Sequence, residues 1–512
     1  MVESDGLRLD FRRFAALFLI LFALATVPVL LCDTLPLFDY PNHLARMRIL
    51  AGLDDSPALQ TYYEIVWRPL PNLAMDAVVP PLARIMPLGW AGKSFVLATL
   101  LLLAGGTSLL HRTIFGQWSL WPCLGFLLLY SRTLLWGFLN YLFGIGLALV
   151  AFAAWIELSR RPMLLRLVVG TAFALAVFFA HLLAFGLFAV MAAGYEAALA
   201  WRRRSVPAGA LARLALAAVP FLPGLALLLL ATPGSAAGAI SFGSPLRKLD
   251  LLFSVFDNYH RPFDIACFLA VVLAGALAFW RRWAKLDATM ALPLAAVALT
   301  YLVMPNRIAT AAGADHRIPL LMGLLLIAGS RWASPRRYLH TVFVVGALLL
   351  FTVRLGVVAV SWQASDRAYA ALMPAIDALP RGSRLAVAYP PEAINSEPTP
   401  LAHFPLLAVV RRDAFVPTLF AFPTQQPVAL QPTYRALADA LPPERLWSVL
   451  VDGSAPLNAG ERAALAAYDH VIVLGRQPFT VDAKAPLGAV FTAPRLQLLA
   501  VADHAPPPSA KP

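Results

Sequence analysis

Apolar residues in this chain gather into long runs broken by short polar connections, and the length of those runs decides the first question. A helix crossing the hydrocarbon of a bilayer needs about 20 apolar residues. Eleven stretches meet or approach that standard: 14 to 33, 94 to 111, 117 to 131, 134 to 158, 164 to 180, 182 to 201, 211 to 231, 265 to 283, 288 to 304, 318 to 332 and 339 to 361. The first is long for a signal peptide, and no small-residue cleavage site follows it, so it is read as a retained anchor. The pattern predicts a polytopic α-helical membrane protein of about eleven transmembrane helices.

Beyond Trp362 the pattern changes. Half of the 42 prolines lie in residues 363 to 512, and no run there is long enough to span. Short apolar strands at 384 to 389, 446 to 451 and 470 to 474 alternate with helical stretches at 366 to 379, 433 to 441 and 460 to 467, which predicts a small α/β domain over 363–502. The tail 503–512, with Pro506-Pro507-Pro508, is expected to be disordered. The division is therefore a helical bundle over 1–362, containing a long first loop at 34–93, and a separate C-terminal domain.

Composition agrees, with 60% hydrophobic and 13% charged residues. The formal charge of +13 would suggest a nucleic-acid partner in a soluble protein, but the basic residues flank apolar runs. Arg8, Arg12 and Arg13, then Arg112, then Arg160, Arg161 and Arg166, then Arg202 to Arg204, and later Arg281, Arg282, Arg331, Arg336 and Arg337 mark every second connection. The positive-inside rule then places the N-terminus in the cytoplasm and the C-terminal domain outside it, in a bacterial inner membrane, with membrane lipids and no nucleic acid as partners. Cys32, Cys123 and Cys267 lie in or beside apolar runs and indicate neither a disulfide framework nor a zinc cluster.

Three outward connections, 34–93, 232–264 and 305–317, carry the polar groups that need explaining. In Leu37-Phe38-Asp39-Tyr40-Pro41-Asn42-His43-Leu44-Ala45-Arg46, proline suits the first turn of a helix, which places Asp39, His43 and Arg46 on one face of its start. The alternative is that Asp39 only caps the helix while His43 and Arg46 form a solvated face. Residues 73 to 85, with Asp76, fit a short amphipathic helix. His181 breaks an apolar stretch, facing an outward cavity or buried neutral within the bundle. His260 and Arg261, then Arg307, Asp315, His316 and Arg317, put further ionisable groups on the same side. Outward arginines there are candidates to clamp a lipid-linked phosphate, or else they pair with Asp257, Asp264 or Asp315. Arg354, inside the last span, is expected to snorkel outward.

No phosphate-cradling glycine loop, HExxH, Gly-x-Ser-x-Gly or paired-cysteine spacing occurs, so no nucleotide is expected as a cofactor. The layout, with an acid just after the first span, a many-helix bundle and an exported C-terminal domain, resembles the GT-C superfamily of integral membrane glycosyltransferases, which includes protein O-mannosyltransferases and aminoarabinose transferases. Leu44-Ala45-Arg46-Met47 is similar to the family's short helix after the acid, and Tyr468-Asp469-His470-Val471-Ile472-Val473 to a strand entry of its C-terminal domains.

The resemblance implies a polyprenyl-phosphate-linked sugar donor, a hydroxyl acceptor on a lipid, glycan or protein of the envelope, and Asp39 as catalytic base, with His43 as the other candidate. Arg261, Arg307 and Arg317 would bind the donor phosphate. It also leaves room for a divalent metal held by Asp39 with Glu64 or Asp76, although Tyr40 stands where many members carry a second acid. Two other classes remain open: a transporter or flippase for a lipid-linked intermediate, and a non-catalytic scaffold.

Overall fold

The computed structural model describes residues 7–204, 206–231, 240–308, 311–334, 336–391, 400–422, 425–481 and 487–502. The expected tail at 503–512 lies outside the described residues. The chain divides into two compact units, one of residues 1–31, 69–75 and 94–361, the other of 32–68, 76–93 and 362–512.

In the first unit the long apolar runs become helices. Among the described residues of the whole chain eight helices are long and apolar enough to cross a membrane: Phe11–Leu31, Leu88–Phe115, Leu139–Arg160, Met163–Ala180, Leu182–Arg202, Pro207–Leu230, Arg261–Trp280 and Arg337–Asp377. This is a polytopic helical membrane protein. Two further expected spans are shorter, Ala291–Val303 and Ile318–Gly329. The 12 residues of the latter rise about 18 Å, short of the ~30 Å hydrocarbon.

The expected span at 117 to 131 is not an α-helix. Gly116 ends the preceding helix at φ +70°, Trp118–Ser119 pairs with Arg8–Leu9 as a short antiparallel ladder, and Trp121–Leu128 winds as a 3₁₀ segment with proline in its first turn. His181 does separate two helices, its backbone extended at φ −168° and its Nδ1 accepting from the Leu183 N–H at 3.1 Å. Small residues let helices approach closely. A Cβ on Gly146 would stand 2.6 Å from Leu102 Cβ, and one on Gly106 would stand 2.9 Å from the Gly146 carbonyl oxygen.

The second unit is built on a four-stranded sheet in the order Leu487–Ala493, Leu496–Val501, His470–Leu474, Leu385–Ala388. The first two junctions are antiparallel and the last, His470–Leu474 against Leu385–Ala388, is parallel. The strands at 384 to 389 and 470 to 474 thus form as the alternation predicts. Residues 446 to 451 do not form the expected strand: Pro443–Leu450 is a helix with proline in its first turn, and Leu446, Trp447 and Leu450 are buried on one face.

Residues of the first loop belong to this same unit. Helix Tyr40–Gly52 is followed by helix Pro57–Tyr62 and by strand Tyr63–Ile65, which pairs antiparallel with Val428–Leu430. Tyr62 and Tyr63 enter the core beside Phe415, Tyr434 and Leu437.

Candidate active site

The first cluster, in the second unit, is built around Asp39. Pro41 stands in the first turn of helix Tyr40–Gly52, and Asp39 occupies the cap position with φ −84° and ψ −4°. Capping residues normally hold extended backbone angles so that the side chain can reach back to the first amides. Asp39 does not, and its side chain makes no capping hydrogen bond. Its Oδ1 instead lies 3.5 Å from Nε2 of His403, with the two side chains 13% and 4% exposed. The His403 ring is held edge-on by Phe38, at 4.9 Å between centroids, and by Phe420, at 5.2 Å.

One turn further along the helix, buried Asn42 fixes the frame. Its Nδ2 donates to the Thr418 carbonyl at 3.2 Å and its Oδ1 accepts from the Phe420 N–H at 2.9 Å. The segment that carries Phe420 against His403 is therefore tied to the helix that carries Asp39. His43 is half-buried, and its backbone N–H donates to the Asp39 carbonyl at 2.9 Å.

Arg46 is not on a solvated face. Its Nε donates to Asp76 Oδ1 at 2.7 Å and its Nη2 to Oδ2 at 3.0 Å, and neither side chain is exposed. This bidentate pair occupies both carboxylate oxygens of Asp76. Glu64 sits opposite Ala429 in the short ladder. Among the described residues no group of three or more His, Cys, Asp or Glu side chains could hold a metal ion. With the Asp76 oxygens already bonded, the donor set around Asp39 does not fit a divalent metal, and no step is routed through one.

The second cluster belongs to the first unit. Asp257 pairs with Arg132. Asp264 pairs with Arg354 at 3.2 Å and accepts from the N–H groups of Asn258, at 2.9 Å, and His260, at 3.2 Å. Arg354 is therefore buried rather than snorkelling, and also donates to the Phe256 carbonyl at 3.2 Å. Asp315 pairs with Lys248 at 3.1 Å and Arg247 at 3.4 Å. Lys248 also donates to the carbonyls of Tyr301, at 3.1 Å, and Met304, at 2.6 Å.

These ion pairs fasten the loops around buried His316, which lies edge-on to Trp136 and Phe138. Burial, then the charges of Arg132, Arg317 and Arg247, push its pKa down to about 3, so the ring is neutral at pH 7. The Arg317 guanidinium lies 4.1 Å from the Phe138 ring centroid, and its carbonyl accepts from the Tyr141 hydroxyl at 2.6 Å. The Tyr141 ring packs against His181.

Of the three arginines assigned to a phosphate, only Arg317 joins this cluster. Arg261 is exposed and pairs with Asp250 at 2.9 Å, beside exposed His260, and Arg307 is exposed in a two-residue strand. The sequence had not singled out Arg247, Lys248, Asn42 or His403. The adjacent basic pair Arg247-Lys248, just before the apolar residues Leu251 to Phe253, is a usable signal. Nothing local marks His403.

No family model matches the chain, and no curated protein matches it in sequence. Its structure is similar to the crystal structure of ArnT from Cupriavidus metallidurans bound to undecaprenyl phosphate, with a TM-score of 0.54 and 13% sequence identity. The match covers 98% of this chain and 100% of that one. The chain therefore has the fold of ArnT, the GT-C-like architecture that its sequence resembles.

Proposed function

We propose that the protein is a membrane glycosyltransferase that moves a sugar from a polyprenyl-phosphate-linked donor to a hydroxyl of a lipid, glycan or protein acceptor in the cell envelope. The observation that carries this reading is the likeness, over nearly the whole chain, to a protein bound to undecaprenyl phosphate. The reaction is assigned to the outer face of a bacterial inner membrane, with the N-terminus in the cytoplasm, because the basic connections alternate as the positive-inside rule requires.

In the mechanism we infer, the acceptor oxygen attacks the anomeric carbon as the bond from that carbon to the phosphate oxygen breaks, so that the sugar transfers with inversion and polyprenyl phosphate leaves. Asp39 takes the acceptor proton. A carboxylate is a weak base, but it suffices when the proton moves late, after the attacking oxygen has become acidic. The absent capping bond leaves that carboxylate available, with His403 Nε2 3.5 Å away. His43, one turn on, is the other candidate base. The departing phosphate needs charge stabilisation more than an acid, a role suited to Arg317, and to Arg261 and Arg307.

The test is mass spectrometry of envelope glycans and lipids from cells with the protein, without it, and with the D39N variant. A glycoconjugate that disappears in both of the latter supports the reading. If no glycoconjugate changes when the protein is absent, the transferase reading is wrong and a transporter or non-catalytic scaffold role replaces it.

A further inference from the structure

In the second unit the strands Leu385–Ala388 and His470–Leu474 run parallel and adjacent. The chain leaving their carboxyl ends, at Tyr389 and at Gly475-Arg476, borders a cleft of about 390 Å³. Ligands of open α/β sheets bind outside the carboxyl ends of parallel strands, and the volume falls within the roughly 300–1,000 Å³ of small-molecule pockets.

The wall is cationic. Nε and Nη2 of Arg476 are buried and have no hydrogen-bond partner among the described residues. Two guanidinium donors removed from water and left unbonded are costly, and an acceptor that the side chain turns to meet relieves that cost. Arg495 lines the same cleft, and its carbonyl accepts from the Gly475 N–H at 3.0 Å, which holds the two arginine-bearing segments side by side. Burial, then the Glu444 carboxylate, keep the Tyr389 phenol protonated well above its usual range, so it can donate to an anion. Leu401, Leu474 and Ala368 supply an apolar remainder.

We propose that this cleft binds the oxyanion of a small ligand, a carboxylate or a phosphate, with Arg476 as the primary partner and Arg495 as the second cation. The site is separate from the role given to Asp39 and does not rest on it.

The test is calorimetric titration of the full-length protein in detergent with glucuronate, inorganic phosphate and neutral glucose. Glucuronate or phosphate is expected to bind, with glucuronate marking an acidic sugar as the source and phosphate alone marking the free ion. Affinity should fall tenfold or more in R476Q, and R476K should recover part of it, because an ammonium keeps the charge but lacks the fork. R495Q, at an exposed position, gives a smaller loss and keeps the proposal testable if R476Q does not fold. The D39N variant should bind the anion as the parent does, whatever its effect on transfer. Equal anion binding by the parent and by the R476Q/R495Q double variant, or glucose binding as tightly as glucuronate, overturns the proposal.

Discussion

Asp39 and His403 lie 3.5 Å apart, and the aspartate, though placed at the start of a helix, contributes no capping bond to it. A helix-starting acid that does not cap is free for other work. Replacing it should therefore cost little stability and much activity. D39N is expected to reduce transfer by about 10²–10⁴-fold, the usual worth of a general base, while the purified protein melts within a degree or two of the parent. H403Q keeps the ring-sized polar group but not the ionisable one. It should lower transfer less than D39N does, in kcat with KM unchanged. Transfer from a labelled polyprenyl-phosphate sugar, measured across donor concentrations, checks both. Undiminished transfer by D39N would remove Asp39 from the chemistry.

The Arg46–Asp76 pair predicts the opposite division. Both side chains are fully buried and joined by two hydrogen bonds, so removing one partner leaves an uncompensated charge out of water. D76N or R46M alone is expected to destabilise the second unit by roughly 3–5 kcal/mol. The double variant R46M/D76L should be markedly less damaging than the sum, because an apolar pair of similar volume avoids the desolvation penalty. Denaturation in detergent, followed by tryptophan fluorescence, measures it. If D76N instead left stability intact and made transfer depend on added divalent metal, Asp76 would be a metal ligand after all.

What was legible in the sequence follows from the range of the forces involved. Run length and basic flanks exposed the helical membrane architecture, because spanning is decided residue by residue along one segment. Pro41 betrayed the start of the helix Tyr40–Gly52 for the same local reason. Leu446 to Val451 reads as a strand because Leu-Trp-Ser-Val-Leu-Val is rich in strand-favouring residues, while the preceding Pro442-Pro443-Glu444, a helix-start signal, settles the outcome as a helix. The partners of Asp39 and Arg46 could not be read at all. His403 sits far along the chain among unremarkable apolar residues, and Asp76 reaches Arg46 only through tertiary packing.

The helix Ala459–Ala466 offers a prediction about acid. Asn458 accepts from the Glu461 N–H at 2.9 Å while Glu461 accepts from the Asn458 N–H at 2.8 Å, a complete capping box, and Arg445 donates to Glu461 at 2.9 Å. The Arg445 hydrogen bond first, then the Asn458 amide, hold the Glu461 carboxyl below its ordinary pKa. A depressed folded-state value means that the stabilisation is present above the unfolded pKa and is lost as pH falls through the folded one. E461Q should therefore lower stability at neutral pH and flatten the acid-side decline. N458A should cost about 0.5–2 kcal/mol across pH 3 to 7, because the donor it leaves unpaired is the Glu461 backbone N–H. Melting curves of the three proteins between pH 3 and 7 decide it, and parallel curves for E461Q and the parent would refute the linkage.

Gly92 packs against the helix that follows Asp39. A Cβ there would stand 2.4 Å from the Tyr40 hydroxyl oxygen and 2.9 Å from Leu44 Cδ2, and both of those residues belong to the helix that follows Asp39. Tyr40 is 1% exposed, so it has no room to step aside without moving the helix. Three residues earlier, a Cβ on Gly89 meets nothing within 4 Å. G92A should cost about 1–3 kcal/mol by overpacking, whereas G89A should be neutral or slightly stabilising, since alanine is the better helix former. The displaced Tyr40 would also carry Asp39 away from His403. A shift of about 1 Å at a reacting group is enough to cost on the order of 10²-fold in rate. G92A is thus expected to lose transfer well beyond its loss of folded protein, and G89A to keep both. If the two variants behave alike in melting and in transfer, the contact between Gly92 and Tyr40 does not hold the Asp39 helix in place.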